Sequence, residues 1–486
     1  MKYNLSRRGY TIPKSKLSKE NKLEILDKLN VKPFTFCDFK QEKGFPVYLE
    51  SNNNYYIPKY FGIKYFGDNI CKKMTSGDTI NINFNGELRE QQENIVNLFM
   101  DTCNNDLFTK KFSNGGIISL QCGGGKTVIA LNIISKLKKK TLVVVHKTFL
   151  MDQWKERIQQ FIPGAKIGFI KGPDIIIEDC DIVIGMLQSL SQKEYDKNQF
   201  DSFGLCVIDE AHHIGAEVFS RSLRSISSWY MLGLSATPKR KDGLSKVFEY
   251  YIGPYIYKQT ESEKREVNIN IFNIANNNKY QTEVLNYLKK SNMPKMINNI
   301  CEFITRTKFI CKLVKYILDK GSDNIQILIL SDRRNHLNDI YKIIEANKIC
   351  SVGYYVGGMK EIDLKKSESK TLILGTYSMS SEGMDIPSLN TLIMASPKSD
   401  IQQSVGRILR KKGDILPTVF DINDNFSSFS NQIKKRKTFY KKCNFKQYMI
   451  DLDLNNYSDL DTLFKNKQEI SLKKPLKKQE YTKCIL

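Results

Sequence analysis

The feature that most constrains the fold of this chain is a glycine-rich segment between an apolar strand and an apolar helix. The segment runs Leu120-Gln121-Cys122-Gly123-Gly124-Gly125-Lys126-Thr127. Three successive glycines let backbone N–H groups wrap around an anion without interference from a Cβ atom. Lys126 can then reach the β- and γ-phosphates of a nucleotide, and the Thr127 hydroxyl can bind Mg²⁺. The segment predicts a nucleotide-binding loop, although Leu120 stands where the usual pattern has another glycine.

Two adjacent acids follow a second apolar strand. Asp209 and Glu210 end the run that begins at Leu205, and Ala211 and His212 come next. An acid at the end of a strand can hold Mg²⁺, and its neighbour can polarise the water that attacks a phosphate. We therefore predict that Asp209 binds the metal and that Glu210 acts on the water. The alternative is that both acids only cap a following helix.

The arginine residues carry a third signal, because the chain has 14 Arg against 61 Lys. Arg407 and Arg410 occupy positions i and i+3 of a predicted helix and therefore share one face. A planar guanidinium binds an anion through two parallel hydrogen bonds, which an ammonium cannot do. We predict that this pair neutralises a γ-phosphate, as an arginine finger does. The alternative is a solvated basic helix face.

Short apolar strands alternate with helices along most of the chain. Strands without polar alternation suggest a parallel sheet covered on both faces, and βαβ repeats predict a doubly wound α/β fold. The predicted strands are Ile117–Gln121, Leu142–Val145, Asp181–Met186, Leu205–Asp209, Met231–Ser235, Gln326–Ser331, Thr371–Thr376, Thr391–Ala395 and Thr418–Ile422. They form two series, which predicts two tandem lobes with a cleft between them.

Five segments are predicted along the chain. They are an N-terminal accessory module of small α+β type over residues 1–85, a first lobe over 86–258, a connector over 259–300, a second lobe over 301–450 and a basic polar tail over 451–486. No fold is predicted for the tail. Trp154 and Trp229 are interpreted as packing residues of the first lobe.

Charge and composition narrow the class of partner and compartment. The formal charge of +23 favours a polyanion, and nucleic acid before a membrane surface. Hydrophobic residues make up 41% of the chain, and there is no run of about 18 apolar residues that would span a membrane. Eleven Cys without a CxxC pair, and no apolar N-terminal segment, predict free thiols in a reducing, intracellular compartment.

Six motifs occur in order along the chain. They are Leu88-Arg89-Glu90-Gln91-Gln92, the glycine-rich loop, Asp209-Glu210-Ala211-His212, Ser235-Ala236-Thr237-Pro238, Gly383-Met384-Asp385-Ile386-Pro387 and the Gln403–Arg410 segment. Over roughly residues 86–450 they resemble the superfamily 2 helicases of the DExH type. The finer pattern is similar to the branch that holds the XPB repair and transcription helicase, the phage UvsW helicase and the poxvirus transcript-release helicase. Lys, Asn and Ile dominate the chain, which is typical of an AT-rich genome, and the segment Tyr56-Ile57-Pro58-Lys59 resembles the poxvirus-like members. Together these features suggest a large DNA virus or a similar genome as the source.

The resemblance implies two RecA-like lobes and an enzyme that uses ATP and Mg²⁺. It implies that Arg89 and Gln92 contact adenine, that Gly383 and Asp385 meet the ribose, and that Gln403 joins the arginines in catalysis. Coupling of ATP to nucleic-acid grip would involve His212, Ser235 and Thr237. The implied nucleic-acid contacts are Lys147, Gln153, Gln188 and Ser189 in the first lobe, and Ser331, Arg333, Gly357, Thr376 and Ser378 in the second.

The expected function is an ATP-dependent helicase or translocase on single- or double-stranded nucleic acid. The resemblance favours DNA, or a transcription or repair complex, and no membrane partner. The alternatives are an RNA helicase, a nucleic-acid-binding scaffold that only locks around ATP, and the motor subunit of a restriction system. If the source is a virus, the expected location is the host cytoplasm or nucleus, or the virion.

Overall fold

The computed structural model divides the chain into two compact units, Met1–Thr260 and Glu261–Leu486. Its description covers residues 3–33, 44–67, 69–104, 114–121, 123–196, 198–210, 216–236, 243–259, 266–274, 279–322, 324–382, 384, 386–409, 415–457 and 459–470. No helix in these ranges is long and apolar enough to cross a membrane.

The first unit opens with a five-stranded sheet in the order β5-β6-β2-β1-β7. Its elements are β1 Tyr3–Ser6, β2 Gly9–Pro13, α1 Lys19–Leu29, β3 Asn30–Val31, β4 Phe45–Pro46, β5 Leu49–Glu50, β6 Asn54–Ile57, α2 Lys59–Phe66 and β7 Ile70–Lys72. Helix α1 begins at Lys19, because the Ser18 side chain accepts a hydrogen bond from the Asn21 N–H at 3.1 Å and caps the helix there.

The larger part of the first unit is an eight-stranded sheet in the order β11-β10-β12-β9-β13-β14-β8-β15. Its elements are α3 Glu90–Asn104, β8 Gly115–Ser119, α4 Lys126–Leu137, β9 Thr141–Val145, α5 Thr148–Phe161, β10 Ile167–Lys171, β11 Asp174–Ile176, β12 Ile182–Met186, α6 Leu187–Gln192, β13 Leu205–Ile208, α7 Ala216–Ile226, β14 Tyr230–Ser235, α8 Ser245–Ile252 and β15 Tyr255–Lys258. All neighbouring strands are parallel except β10 and β11. The five predicted strands match observed strands to within two residues at each end.

The N-terminal sheet shares a hydrophobic core with the large sheet of the same unit. Tyr10 and Ile57 of the small sheet belong to one buried cluster with Phe219 and Phe248. The fully buried Lys59 ammonium donates to the Trp229 carbonyl at 2.7 Å. Residues of the N-terminal module therefore pack into the first unit rather than standing apart from it.

The second unit contains another eight-stranded sheet, in the order β18-β19-β17-β20-β21-β16-β22-β23. Its elements are β16 Asn268–Ile274, α9 Met293–Glu302, α10 Ile304–Lys320, β17 Ile327–Ser331, α11 Arg334–Ala346, β18 Val352–Tyr355, α12 Glu361–Glu368, β19 Leu372–Thr376, α13 Tyr377–Glu382, β20 Thr391–Met394, α14 Gln402–Arg407, β21 Thr418–Asp424, α15 Phe429–Lys442, β22 Lys446–Leu452, α16 Leu460–Lys465 and β23 Gln468–Glu469. The strands are parallel except for the last pair. Two tandem parallel α/β sheets confirm the predicted fold class.

Strand β16 lies within the segment that the sequence presents as a connector. It pairs along seven residues with both β21 and β22, so it is an internal strand of the sheet. Its asparagines make the segment look unlike an internal strand in the sequence. The Asn273 side chain donates to Asp451 at 2.9 Å and accepts from Asn423 at 3.1 Å, across the two neighbouring strands. Polar side chains that pair with each other across a sheet break the apolar pattern by which internal strands are recognised.

The expectation of no fold after residue 450 was wrong for residues up to 470. Strand β22 continues to Leu452, and α16 and β23 follow. Leu454 and Leu460 are buried in the core of the second unit, where Tyr457 and Phe464 pack against them. These few apolar residues were not recognised in the sequence because most of their neighbours in the segment are charged or polar. Residues 471–486 lie outside the described part of the chain.

Candidate functional site

The glycine-rich loop joins the end of β8 to the start of α4. Gly123 and Gly125 have φ values of 80° and 82°, which favour glycine. Gly125 is the N-cap of α4 and supplies no side-chain hydrogen bond to the helix. A Cβ atom on Gly125 would lie only 2.2 Å from Gln92 Nε2. The loop therefore needs glycine there, and the N–H groups of a 12-residue helix face a potential anion site.

Gln92 bridges this loop to the start of α3. Its side-chain N–H donates to the Gly124 carbonyl at 3.3 Å, and its side-chain oxygen accepts from the Arg89 N–H at 3.0 Å. Gln92 is buried, whereas Arg89 is exposed. Both residues predicted to contact adenine thus lie beside the loop, and Gln92 also fixes the position of the loop.

The two predicted acids follow β13, where the Asp209 carboxylate is held from both sides. Trp154 Nε1 donates to one oxygen at 2.8 Å and the Glu210 N–H donates to the other at 2.9 Å. Burial, and then the charge of Glu210, raise the pKa of Asp209 to about 6. Glu210 has a φ of 48°, a strained value for a residue with a side chain. The backbone therefore turns sharply where the two carboxylates meet.

Lys126 connects the loop with these acids. Its ammonium lies 2.9 Å from Glu210 Oε1 and 3.4 Å from the Leu120 carbonyl. Strand β14 lies between β8 and β13, and the carbonyl of its last residue, Ser235, accepts from the Leu120 N–H at 3.0 Å. Lysine, both acids and Ser235 thus meet at one edge of the sheet, as parallel strands that end together require.

The same residues fit a nucleotide with a divalent cation. Carboxylate and hydroxyl oxygens are the ligands that Mg²⁺ prefers, and Asp209 and the half-buried Thr127 supply one of each. A raised carboxyl pKa indicates that the negative charge of Asp209 lacks sufficient compensation, and a bound cation would supply it. A phosphate chain at the α4 N-terminus would compete with Glu210 for the Lys126 ammonium.

Sequence reasoning missed the role of Trp154, which was interpreted as packing alone. Trp154 is buried in the core of the first unit, and its indole N–H binds the proposed metal carboxylate. Only a general rule could have predicted this contact: the N–H of a buried Trp usually finds a hydrogen-bond acceptor, and the Asp209 carboxylate is one candidate. Burial, and then the charge of Lys147, lower the pKa of His146, whereas the charges of Asp209 and Glu210 raise it. The influence of these two carboxylates indicates that His146 also lies near this site.

The four nucleic-acid candidates of the first unit follow β9 and β12, which are neighbours in the sheet. Lys147 precedes α5, and burial lowers its pKa. Gln153 lies on α5, and Gln188 is exposed on α6. Ser189 accepts the Gly172 N–H at 2.8 Å, so its hydroxyl oxygen also fixes a neighbouring turn. All four lie near the edge of the sheet that carries the loop and the acids.

The candidates of the second unit follow three adjacent strands, β18, β19 and β17. Gly357 follows β18, Thr376 ends β19 and Ser378 lies on the next helix, α13; the hydroxyls of Thr376 and Ser378 are 3.2 Å apart. Ser331 ends β17 but is 0% exposed, and its hydroxyl binds His336 Nδ1 at 3.1 Å and the Arg333 N–H at 3.2 Å. This burial contradicts a direct nucleic-acid contact by Ser331, which instead holds the start of α11.

Arg333 is engaged within its own unit. Its guanidinium donates to Asn298 Oδ1 at 2.5 Å, to the Pro294 carbonyl at 3.1 Å and to the Asp332 carbonyl at 3.2 Å. The first two partners belong to α9. The predicted phosphate contact is therefore also the residue that fastens α9 to the end of β17. A cavity of about 420 Å³ lies alongside, lined by Asn298, Cys301, Glu302, Arg333, Arg334, Asn335, His336 and Asp339.

Arg407, which is predicted to neutralise a γ-phosphate together with Arg410, is the last residue of α14, and its burial excludes the alternative of a solvated basic helix face for this residue. The side chain is buried, with Nε donating to the Ser380 carbonyl and Nη1 donating to the Met384 carbonyl at 2.7 Å. A guanidinium held by two main-chain oxygens positions the 380–384 segment. Gln403 lies half-buried on the same helix. The predicted site residues Cys122, His212, Thr237, Gly383, Asp385 and Arg410 lie outside the described residues.

Two further buried arginines hold the segment that leads into α14. Arg306 Nη1 donates to the Ala395 carbonyl at 2.6 Å, and Arg436 Nη1 donates to the Lys398 carbonyl at 2.7 Å. Each guanidinium also pairs with an aspartate of β21, at 2.9 Å for Asp424 and at 2.8 Å for Asp421. The sequence offered a signal in the scarcity of arginine, but it did not point to these positions.

Comparison with known proteins extends these observations. The profile of a family described as "Type III restriction enzyme, res subunit" matches residues 85–240. A protein of Acanthamoeba polyphaga mimivirus, named as an ATP-dependent RNA helicase, is 35% identical over 476 residues, which cover 95% of this chain and 89% of that protein. A protein of Invertebrate iridescent virus 6, named as a helicase, is 28% identical over 388 residues, or 75% of this chain and 83% of that protein.

Among solved structures, a fragment of an HsdR subunit of a type I restriction enzyme from Vibrio vulnificus resembles this chain in fold. The TM-score is 0.51 at 16% identity, with 76% of this chain and 70% of that chain covered. At this identity the similarity concerns the fold alone.

Proposed function

This chain belongs to the superfamily 2 ATP-dependent helicases of large DNA viruses, and from that premise we propose how its residues use ATP and a nucleic-acid strand. One observation carries the proposal: the Lys126 ammonium lies 2.9 Å from Glu210, beside the buried Asp209. A lysine from the glycine-rich loop and two adjacent acids at neighbouring strand ends suit phosphoryl transfer to water.

In the proposed reaction, the Lys126 ammonium binds the phosphates of ATP instead of Glu210, and the Glu210 carboxylate becomes free to act on water. Glu210 then orients the attacking water and accepts its proton. Mg²⁺, held by Thr127 and Asp209, would neutralise charge on the phosphate oxygens. Trp154 keeps the Asp209 carboxylate in place through the 2.8 Å hydrogen bond.

We propose that hydrolysis also needs the second unit. Arg410 would neutralise charge that develops on the γ-phosphate, as the sequence predicts, and Gln403 of α14 would join it in catalysis. Arg407 would act as a positioning residue, since it binds the Met384 carbonyl between the two predicted ribose contacts, Gly383 and Asp385. Nucleic-acid binding would then stimulate turnover by favouring the arrangement in which both units contribute.

Two polymers remain candidates, each with its own support. The resemblance to repair and transcript-release helicases favours DNA, in a transcription or repair complex. The name of the mimivirus relative, an ATP-dependent RNA helicase, favours RNA. The contacts proposed at the ends of β9, β12 and β19 would bind phosphate and sugar, and so would position either strand without reading its sequence.

We propose a reducing compartment for the protein, in the cytoplasm or nucleus of a host cell or in the virion. Eight cysteines of the described residues are free thiols. Burial raises the pKa of Cys206 to about 12 and that of Cys301 to about 11, so these thiols would stay protonated and unreactive.

The test is the ATPase rate of the full chain without polymer, with single-stranded DNA and with single-stranded RNA. We expect stimulation by one polymer, and strand displacement on tailed duplexes of the same kind. Lys126→Ala should abolish hydrolysis in a folded protein. A Lys126→Ala protein that hydrolyses ATP at the normal rate would disprove the site, and equal rates with and without either polymer would disprove the coupling.

A further inference from the structure

A projecting turn in the second unit carries unusually exposed apolar side chains. It comprises residues 284–292, between β16 and α9. Tyr287 is 92% exposed, compared with 67% for Ile362 on α12, and Leu285 and Leu288 are exposed as well. A large aromatic side chain held almost entirely in solvent calls for a partner, because burial of such a ring is strongly favourable.

The turn is a built structure. Its base is closed by the Asn292 N–H, which donates to the Val284 carbonyl at 2.6 Å. The side-chain oxygen of Asn286 accepts hydrogen bonds from both the Leu288 N–H, at 2.9 Å, and the Lys290 N–H, at 3.0 Å. These bonds fix the backbone around Tyr287, so the ring is presented at little further cost in backbone entropy.

A carboxylate ties the turn to the rest of its unit. Glu283, next to the base, accepts hydrogen bonds from Ser291 at 2.6 Å and from Ser427 at 2.8 Å. These two hydroxyls lower the pKa of Glu283 and keep its charge at the base. The tip itself has Lys289 and Lys290 and no acid.

The turn is also connected to the predicted nucleic-acid edge. Helix α9 begins directly after Asn292, and its Pro294 carbonyl accepts a hydrogen bond from Arg333. Arg333 follows β17, next to the strand end that carries Thr376 and Ser378. A short chain of bonds thus fixes the exposed ring relative to residues that the sequence predicts to contact a strand.

We propose that Tyr287 stacks on a nucleobase of the bound strand, while Lys289 and Lys290 contact the flanking phosphates. An exposed ring beside cationic side chains is the usual arrangement for binding a single strand without sequence preference. The overall charge of +23 favours this polyanionic occupant over a protein surface. The inference rests on the proposed function, because it requires that the chain binds nucleic acid.

The test uses the full chain and single-stranded oligonucleotides, DNA and RNA, that contain the fluorescent base 2-aminopurine. Tyr287→Ala should weaken binding about 5- to 100-fold and remove the quenching of 2-aminopurine that stacking causes. Tyr287→Phe should retain both, because the ring face remains. Ile362→Ala, at a largely exposed apolar residue of the same unit, is the control and should change neither. Lys289→Gln should reduce the salt dependence of binding by about one phosphate contact.

The possible outcomes separate the inference from the function on which it rests. If the unmodified chain binds neither oligonucleotide, the proposed function fails and the inference fails with it. If the unmodified chain binds but Tyr287→Ala binds equally well, only the inference is overturned. Loss of self-association in Tyr287→Ala, seen by sedimentation, would overturn it in favour of a second copy of this chain. Because Tyr287 is almost fully exposed, unfolding is not expected to obscure these results.

Discussion

The two large sheets place their predicted polar residues at the ends of parallel strands, but they use them differently. In the first unit, Lys126, Asp209 and Glu210 meet within hydrogen-bonding distance, as phosphate chemistry requires. In the second unit, Ser331 and Arg407 are buried and bonded to their own scaffold. A polar residue at a strand end is therefore a functional candidate only when its hydrogen bonds are not already used to hold its own unit together.

Arginine sharpens this comparison. The scarcity of Arg supported the prediction that Arg407 and Arg410 bind an anion. In the second unit Arg306, Arg407 and Arg436 instead bind main-chain carbonyls, and two of them pair with buried aspartates. A planar guanidinium is equally suited to both uses, because carbonyl and carboxylate oxygens inside a protein also demand several well-directed donors. A scarce Arg thus indicates a site that needs a planar guanidinium, but it does not tell whether the guanidinium binds a ligand or the protein itself.

The largest effect is expected at Arg410, which would separate a chemical arginine from a structural one. Arg410→Ala should lower nucleic-acid-stimulated hydrolysis by about 10³-fold or more with an unchanged melting temperature, and Arg410→Lys should recover little. Arg407→Ala should also lower the melting temperature, because two carbonyl oxygens lose their donor. ATPase rates and thermal unfolding of both variants check this. A stable Arg407→Ala protein without activity would assign the chemistry to Arg407 as well.

The second effect concerns the acids of the first unit. Glu210→Gln should lower kcat by about 10²- to 10⁴-fold while ATP still binds, because the amide cannot accept the proton of the attacking water. Asp209→Asn should instead raise the Mg²⁺ concentration needed for half-maximal rate. Nucleotide binding by fluorescence, alongside steady-state rates, distinguishes the two. Near-normal turnover by Glu210→Gln would move the general base to another residue.

The third effect tests a buried ion pair of the second unit. Arg436→Met leaves the buried Asp421 carboxylate without its 2.8 Å partner and should lower the free energy of unfolding by about 3–5 kcal/mol. Replacing both partners, as Arg436→Met with Asp421→Leu, should recover a large part of that loss. Chemical denaturation of the single and double variants provides the measurement. An equally large loss in both would show that the pair is not the source of the stability.

The fourth effect is a pH dependence at the first site. The Trp154 hydrogen bond lowers the pKa of Asp209, which burial holds at about 6. Trp154→Phe removes that donor, so the pKa should rise and the acid limb of kcat/KM should shift to higher pH. Activity should therefore fall more at pH 6 than at pH 8. Trp229→Phe provides the aromatic control, with no shift expected, and an unshifted limb in Trp154→Phe would contradict the assigned role.

The smallest effect is expected at the C-terminus. Removal of residues 471–486 should leave basal ATPase and the melting temperature unchanged, because no predicted motif lies there. Removal from residue 453 onward should destabilise the second unit, since Leu454 and Leu460 are lost from its core. Comparison of the two truncations by thermal unfolding tests how far the fold extends. Equal stability of both would mean that α16 contributes nothing measurable.

Sequence reasoning succeeded where local chemistry and periodicity agreed. The loop before α4 and the acids after β13 stand in short, strongly patterned segments, and the apolar strands around them could be placed within two residues. It failed where long-range contacts decide. Strand β16 depends on asparagines that satisfy one another across the sheet, and the burial of Ser331 depends on His336. Neither partnership leaves a periodic trace in the local sequence.

The packing of the N-terminal sheet has a consequence for how the protein is made. Lys59 donates to a carbonyl 170 positions later, Arg7 pairs with an acid 194 positions later, and the Val47 carbonyl binds the hydroxyl of Tyr251, 204 positions on. The N-terminal sheet is translated before residues near 250, so its apolar face stays uncovered until those residues have been made. During translation that face is open to chaperones. An N-terminal fragment that ends before residue 200 is expected to aggregate, although it contains the whole of the small sheet.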